Sequence, residues 1–253
     1  MKQPSTSILG CGWLGYPLAK HLVSLGFSVK GSTTTPEKLK ILREHRIVPF
    51  LINGEPSITG NPQEFFNSNI LFLNIPFRRD LKDPHFFKEQ IQSVIEHVCK
   101  SSIEFVIFAS STSIYPQSLE CACEDASFVP DNPRSQVLYE VEQLLLSNRF
   151  FQTTIIRFAG LCGGTRVPRT LTRVLNLIHL NDCVEIVTRI IQHNIRGEIF
   201  NACADVHLPV FKEIKEGARK IVSNEKLKSY LGYQFKYPNP LDFPEFIIKP
   251  HRE

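Results

Sequence analysis

The chain has 253 residues, with 29 Lys or Arg against 25 Asp or Glu, a formal net charge of +4. That length can bury the core of one α/β domain, or of one domain with a small appendage. The mild, scattered charge does not favour nucleic acid, and no stretch reaches the roughly 18 consecutive apolar residues of a membrane helix. Seven cysteines without zinc-ligand spacing, and an N-terminal apolar run too short for a signal peptide, indicate a cytoplasmic protein with reduced thiols and no metal.

The first predicted element is a strand at 7–9 that leads through a glycine turn into a helix and a second strand at 27–31. The turn reads G-x-G-x-x-G. Gly10 permits the tight turn, Gly12 lets backbone amides approach a pyrophosphate, and Gly15 lets the helix pack closely on the strand. We therefore expect a dinucleotide pyrophosphate to contact Gly10, Gly12, Trp13, Leu14 and Gly15 at the helix N-terminus. The alternative is a glycine turn that only packs the helix on the strand.

Strand and helix patterns then alternate along the chain. Continuous apolar runs predict buried strands, and apolar residues three and four apart predict helices. Further strands are predicted at 47–51, 69–75, 105–109, 153–158 and 198–202, and helices at 35–44, 85–99, 137–146, 181–192, 210–222 and 224–231. Loops are expected at 53–61, 110–133 and 160–171, and an extended tail at 237–250. This order predicts an α/β fold, a Rossmann-type doubly wound parallel sheet. Residues 1–160 would form the Rossmann domain, and 161–253 a small substrate-side subdomain packed on it.

Ligands of such sheets bind beyond the carboxyl ends of the strands. Besides the glycine turn, three segments follow predicted strands. We expect them to complete the cofactor site through Ser32, Thr33 and Thr34, through Asn74, Ile75 and Pro76, and through Ser110.

The second of these strand ends bears on the choice of cofactor. NAD sites usually carry Asp or Glu about 20 residues after the glycine turn, where the carboxylate bonds the ribose 2′-hydroxyl. No acidic residue occurs here between Gly15 and Glu37, whereas three hydroxyl side chains and Lys38 are present. Because these groups suit a 2′-phosphate better than a carboxylate would, the sequence favours NADP, with NAD as the alternative.

Several segments resemble the extended short-chain dehydrogenases/reductases. They are Ser110–Tyr115 (the S-S-x-x-V-Y signature), Thr154–Leu161 (the sixth strand), Ile178–Val184, Gly197–Asn201, Ser223–Leu227 and Leu231–Tyr233. The segments span the chain in the family's order. The chain looks most like the atypical, YeeZ-type bacterial members, usually labelled NAD(P)-dependent epimerase/dehydratase-like.

The resemblance implies a catalytic Tyr-x-x-x-Lys pair and an upstream Ser that bonds the substrate oxygen. Ser111 stands at the Ser position. If Glu142 is aligned with the acidic residue that often follows the pair, Arg134 takes the Tyr position and Leu138 the Lys position. Tyr139 lies nearby, but Gln143 follows it four residues on.

The candidate catalytic residues are therefore Ser111, Tyr139 and Arg134. Arg134 would bind an anionic substrate or polarise a carbonyl, and a solvated helix end is its other interpretation. Tyr115 is an alternative proton donor, and packing is its other interpretation. The literal Tyr16–Lys20 pair falls in the helix after the glycine turn and is interpreted as chance.

The resemblance implies an NAD(P)-dependent oxidoreductase or epimerase/dehydratase-like enzyme with a non-standard site. Its partner would be a small molecule, anionic if Arg166, Arg169 and Arg173 face it, and a homodimer is compatible with the sequence. A non-catalytic dinucleotide sensor is the alternative. A third alternative is a Rossmann reductase with a separate helical substrate domain, which only the first strand–helix–strand unit would fit.

His179 is interpreted as a hydrogen-bonded structural histidine and Asp182 as a helix-start residue.

Overall fold

The structure, a computed structural model, describes residues 3–54, 56–78, 83–166, 175–207 and 220–247. Most of the amphipathic segment predicted at 210–222 lies outside these residues, and so do Arg169 and Arg173.

Seven strands form the central sheet. They are β1 (Thr6–Leu9), β2 (Val29–Thr33), β3 (Val48–Leu51), β4 (Ile70–Leu73), β5 (Phe105–Ser111), β6 (Gln152–Phe158) and β7 (Ile199–Ala202). Their order is β7-β6-β5-β4-β1-β2-β3, with parallel pairing on both sides of β1. The chain winds outward from β1 in both directions, which confirms the predicted doubly wound α/β fold. The reversal of strand order falls between β1 and β4.

The helices lie between and after these strands. They are α1 (Gly15–Ser24), α2 (Lys38–Glu44), α3 (Pro62–Phe65), α4 (His85–Cys99), α5 (Pro133–Leu146), α6 (Leu180–Gln192), α7 (Glu225–Leu231) and α8 (Pro244–Ile247). α4 has the predicted bounds, and α7 ends as expected at Gly232, whose φ of 56° is left-handed. Among the described helices, none combines the length and the apolar character that crossing a bilayer requires.

Four predictions about irregular segments are wrong in part. The loops at 53–61, 110–133 and 160–171 contain short strands, since Asn53–Gly54 pairs with Ile58–Thr59, Cys121–Ala122 with Ile221–Val222, and Gly160–Cys162 with Leu177–His179. The tail predicted as extended forms a 3₁₀ turn at Pro240–Asp242 and then α8. Both begin with proline, which suits a first helical turn because its missing N–H has no intrahelical partner there.

The core lies along the inner strands of the sheet. All four residues of β1 and all four of β4 are buried, as expected for parallel strands covered on both faces. Ile8, Phe72 and Phe108 have no exposed surface. Burial of these strands fixes the positions at which their carboxyl ends emerge.

The chain divides into two compact units. The first comprises Met1–Ala109, Val137–Ile155 and Ile191–Glu198, and the second comprises Ser110–Gln136, Ile156–Ile190 and Ile199–Glu253.

Candidate functional site

The glycine turn of the first unit is built on a contact between β1 and the end of β4. Gly10 has a φ of +104°, and a Cβ there would lie 2.5 Å from the carbonyl oxygen of Asn74. The Asn74 side chain donates to the Gly10 carbonyl at 3.0 Å, and its backbone N–H donates to Leu9 at 3.0 Å. Gly10 is therefore required by conformation and by space, and Asn74 holds the turn.

Gly15 is required for a different reason. A Cβ at this first residue of α1 would overlap the Gly10 carbonyl oxygen and lie 3.1 Å from Cγ2 of Ile8. The helix thus begins in direct contact with the turn, which confirms that a side chain at Gly15 would block this close packing.

Gly12 differs from both. A Cβ there would meet no atom within 4 Å, the residue is exposed, and its φ lies outside the left-handed range. The neighbouring Trp13 is half-buried and Leu14 is buried. Within the described part of the chain, no atom explains the absence of a side chain at Gly12, so the space beside it can take a ligand that approaches the backbone.

Cys11 packs beneath this turn. Its Sγ lies 2.7 Å from where a Cβ on Gly31 would stand, so Gly31 makes room for it. Burial raises the pKa of the Cys11 thiol to about 12, which leaves it protonated and unreactive. All seven cysteines of the chain are free thiols.

The hydroxyl residues after β2 divide into supporting and exposed groups. Ser32 is buried; its Oγ accepts from the Gly10 amide at 2.9 Å, and its carbonyl accepts from Cys11 at 2.8 Å. Thr33 Oγ1 accepts from the Thr35 amide at 3.1 Å, whereas Thr34 is exposed. Ser32 thus positions the glycine turn, and Thr34 is the hydroxyl open to a ligand.

Two further candidates for the cofactor site follow β4. Of these, Ile75 is half-buried and Pro76 is exposed.

In the second unit, Ser110 and Ser111 are the last residues of β5. Ser110 is buried, and Ser111 is half-buried. Ser111 caps the 3₁₀ turn Thr112–Ile114, since its Oγ accepts from the Ser113 amide at 3.1 Å. That bond uses an oxygen lone pair and leaves the hydroxyl hydrogen to donate.

Tyr115, also in the second unit, is 1% exposed. Its hydroxyl accepts from Arg157 Nη1 at 2.7 Å and lies 3.0 Å from Asn201 Oδ1 and 3.1 Å from the carbonyl of Cys123. Burial raises the pKa of Tyr115, and the Arg157 charge partly opposes that shift. Its hydroxyl is fully engaged within the protein, which favours packing over proton donation.

The other candidates lie on α5 and α1. Arg134 and Tyr139 are half-buried on α5, and Leu138, at the position of the family's Lys, is 3% exposed. Tyr16 lies on α1, where its hydroxyl is 3.1 Å from His45 Nδ1.

No protein-family model matches the chain. Protein YeeZ of Escherichia coli strain K12 is 28% identical, over 94% of this chain and 98% of that protein. A short-chain dehydrogenase/reductase superfamily protein from Agrobacterium tumefaciens, solved with bound NAD, has a TM-score of 0.73 at 15% identity, covering 92% of this chain and 93% of its own. A UDP-glucuronic acid 4-epimerase from Bacillus cereus, solved with UDP-glucuronic acid and NAD, has a TM-score of 0.72 at 14% identity over 92% and 94%.

The fold is that of the short-chain dehydrogenases/reductases. The resemblance found in the sequence segments is thus confirmed, and the similarity to YeeZ extends over nearly the whole chain.

Sequence reasoning missed two polar residues that organise the second unit of this short-chain dehydrogenase/reductase fold. Asn201 donates from its backbone amide to Glu124 Oε1 at 2.6 Å and from its side chain to Ala122 at 3.1 Å. Lys220 is 7% exposed and donates to two backbone carbonyls next to Ser111. Asn201 ended a segment that resembles the family, which is a signal of structural importance, but no pattern pointed to Lys220.

His179 and Asp182 have structural partners in the second unit. His179 Nε2 lies 3.3 Å from Glu245 Oε2, and burial lowers the pKa of His179. Asp182 has no exposed surface and accepts from the Tyr233 hydroxyl at 2.7 Å. Its position in the first turn of α6 confirms the helix-start interpretation.

Among the described residues, no cluster of three or more His, Cys, Asp or Glu side chains suits a metal ion.

Proposed function

We propose that the chain binds NADP at the glycine turn and uses it in an oxidoreductase or epimerase/dehydratase-like reaction on a small molecule. The open space beside Gly12, within a turn that Asn74 and Ser32 hold in place, carries the proposal. A bound nicotinamide dinucleotide would supply hydride transfer. The A. tumefaciens and B. cereus proteins of the same fold were solved with NAD, which supports a nicotinamide dinucleotide for this chain.

The preference for NADP rests on the segment after β2. No carboxylate occurs there before Glu37, Thr34 is exposed, and Lys38 adds an exposed cation at the start of α2. A 2′-phosphate would find a hydroxyl donor and a positive charge, whereas the 2′-hydroxyl of NAD would find no acceptor carboxylate.

Thr34→Asp should reverse this preference. The new carboxylate would repel a 2′-phosphate and accept from a 2′-hydroxyl, so NADPH affinity should fall about tenfold, or ~1.4 kcal/mol, while NADH affinity holds or rises. Trp13, the single tryptophan, lies in the glycine turn, and quenching of its fluorescence reports binding of either nucleotide. Thr34→Asn is the matched control without charge. If the aspartate variant lost affinity for NADPH and NADH equally, the placement of Thr34 beside the 2′-phosphate would be contradicted.

On the substrate side, we assign Ser111 as the hydroxyl that donates to the substrate oxygen, with Tyr139 as a proton donor. Arg134 and the exposed Arg166 are the described cations that would favour an anionic substrate, and residues 161–253 would contribute to its site. The B. cereus protein, which is similar in fold, was solved with UDP-glucuronic acid, which makes nucleotide sugars the first substrates to test.

Seven free thiols support a cytoplasmic protein. A homodimer is compatible with this assignment.

Ser111→Ala and Tyr139→Phe test these roles once NADPH oxidation is found with a carbonyl or nucleotide-sugar substrate. Loss of one hydrogen-bond donor to a developing oxyanion should lower kcat about 100-fold, with NADPH affinity unchanged. Ser113→Ala, two residues from Ser111 and exposed, keeps the backbone amide and serves as the control. Full activity of Tyr139→Phe would remove Tyr139 from the mechanism.

A non-catalytic dinucleotide sensor is the second candidate. It is favoured by the engaged hydroxyl of Tyr115 and by Leu119 and Gln143, which occupy the fourth positions after Tyr115 and Tyr139 where a catalytic lysine is expected. Without that lysine, a tyrosine with a pKa near 10 is a poor base at neutral pH. Tight NADPH binding with no turnover across the substrate panel would support the sensor, and failure to bind either nucleotide would contradict both candidates.

A further inference from the structure

Lys220 is a buried cation with backbone partners. It is 7% exposed, and its Nζ donates to the carbonyls of Tyr115 at 2.8 Å and Thr112 at 3.2 Å. Lysine is almost never buried to this extent unless its ammonium is paired or hydrogen-bonded, because removing the charge from water is costly. The Thr112 carbonyl belongs to the turn that Ser111 caps, and Tyr115 flanks the end of that turn, so the cation acts directly on it.

The Thr112 carbonyl belongs to the same peptide group as the Ser113 N–H. That N–H donates to Ser111 Oγ at 3.1 Å. One amide therefore receives a hydrogen bond from the ammonium at its oxygen and gives one to the Ser111 hydroxyl from its nitrogen. A cation at the oxygen draws electron density from the N–H and strengthens the bond it donates, as in other hydrogen-bond chains. The Ser111 oxygen becomes poorer in electrons, and its hydroxyl becomes a stronger donor.

The Lys220 carbonyl and the two residues that follow it are held by hydrogen bonds, which positions the backbone that carries the side chain. Asn176 donates from Nδ2 to the Lys220 carbonyl at 2.8 Å and accepts at Oδ1 from the Val222 amide at 2.9 Å. Ile221 in turn donates to the Glu120 carbonyl at 2.8 Å.

We propose that Lys220 is a positioning residue that polarises the Ser111 hydroxyl through the Thr112–Ser113 peptide group. The consequence for catalysis rests on the proposed role of Ser111 as the donor to substrate. The polarisation itself does not depend on that role and is measurable without any substrate.

The first test uses amide NMR spectra of the full chain. In Lys220→Met, which keeps the length of the side chain without the charge, the Ser113 amide proton should move upfield because its bond to Ser111 weakens. Lys220→Arg keeps the charge, so the Ser113 amide proton should return most of the way to its wild-type chemical shift. Ser111→Ala should move the same resonance, and adding Lys220→Met to it should produce a much smaller further change. An unmoved Ser113 amide in a folded Lys220→Met protein would overturn the proposal.

A reciprocal measurement covers the case in which Lys220→Met does not fold. The side-chain Nζ resonance of Lys220 should shift in Ser111→Ala and stay in place in Ser113→Ala, which retains the peptide group. No shift in Ser111→Ala would overturn the proposal independently of Lys220 variants.

The second test is kinetic and uses the substrate that the nucleotide-sugar panel yields. Lys220→Met should lower kcat about three- to fivefold with KM nearly unchanged, since polarisation changes the strength of a hydrogen bond by a fraction only. In the Ser111→Ala background the same substitution should have no further effect on kcat. An equal fall in kcat in the wild-type and Ser111→Ala backgrounds would overturn the proposal that Lys220 acts through Ser111. Absence of turnover in the wild type would contradict the proposed function and leave the NMR result to decide on Lys220.

Discussion

Gly12→Val should abolish NADP binding while the protein keeps its fold. A Cβ at Gly12 meets nothing within 4 Å and the residue is exposed, so the valine side chain has room in the free protein. That room is the space through which a pyrophosphate would reach the backbone amides of the turn. We expect NADPH affinity to fall by at least ~100-fold, or about 2.7 kcal/mol, measured by titration calorimetry because the substitution adjoins Trp13.

Gly15→Ala is the matched control, three residues further on. Here the added Cβ would overlap the Gly10 carbonyl oxygen, so the turn and the start of α1 must separate. Such overpacking costs about 1–3 kcal/mol, and the melting temperature should fall while that of Gly12→Val stays near the wild type. A Gly12→Val protein that binds NADPH normally would contradict the placement of the cofactor. A Gly12→Val protein that unfolds would contradict the open space beside the turn.

Much of this fold could be predicted from the sequence because its strongest signals are local. β4 and the first five residues of β5 are continuous apolar runs, and such runs are typical of parallel strands covered on both faces. α4 carries apolar residues at helical spacing and was predicted with its observed bounds. The glycine turn combines a positive φ at Gly10 with a close approach at Gly15, and both leave only glycine as an acceptable residue.

The partners of polar side chains could not be predicted in the same way, since they come from distant parts of the chain. Ser32 was expected to face a phosphate, but its oxygen accepts from an amide 22 residues earlier in the chain. Tyr115 was a candidate proton donor, but its hydroxyl bonds Arg157, 42 residues later. No periodicity or spacing encodes these pairs, because they depend on how the strands and loops pack.

Asp182→Ala should cause the largest loss of stability among the substitutions considered. Its carboxylate accepts from the Tyr233 hydroxyl at 2.7 Å and from the amides of Lys236 at 2.7 Å and Tyr237 at 3.2 Å. Asp182 has no exposed surface, so alanine would leave the Tyr233 hydroxyl and two part-buried amides without this acceptor. We expect the free energy of unfolding to fall by about 3–5 kcal/mol and the melting temperature by roughly 10 °C.

Two variants separate the buried acceptor from other effects of losing a carboxylate. Tyr233→Phe removes one of the three donors and leaves the carboxylate bound to two amides, so it should cost only about 1–2 kcal/mol. Asp125→Ala removes an exposed acid and should change stability by less than about 0.5 kcal/mol. Because Asp182 ties α6 to the segment that follows α7, its loss should increase amide hydrogen exchange at Lys236 and Tyr237 before the rest of the chain. Unchanged exchange at these two amides would contradict the role of Asp182 in tying this segment to α6.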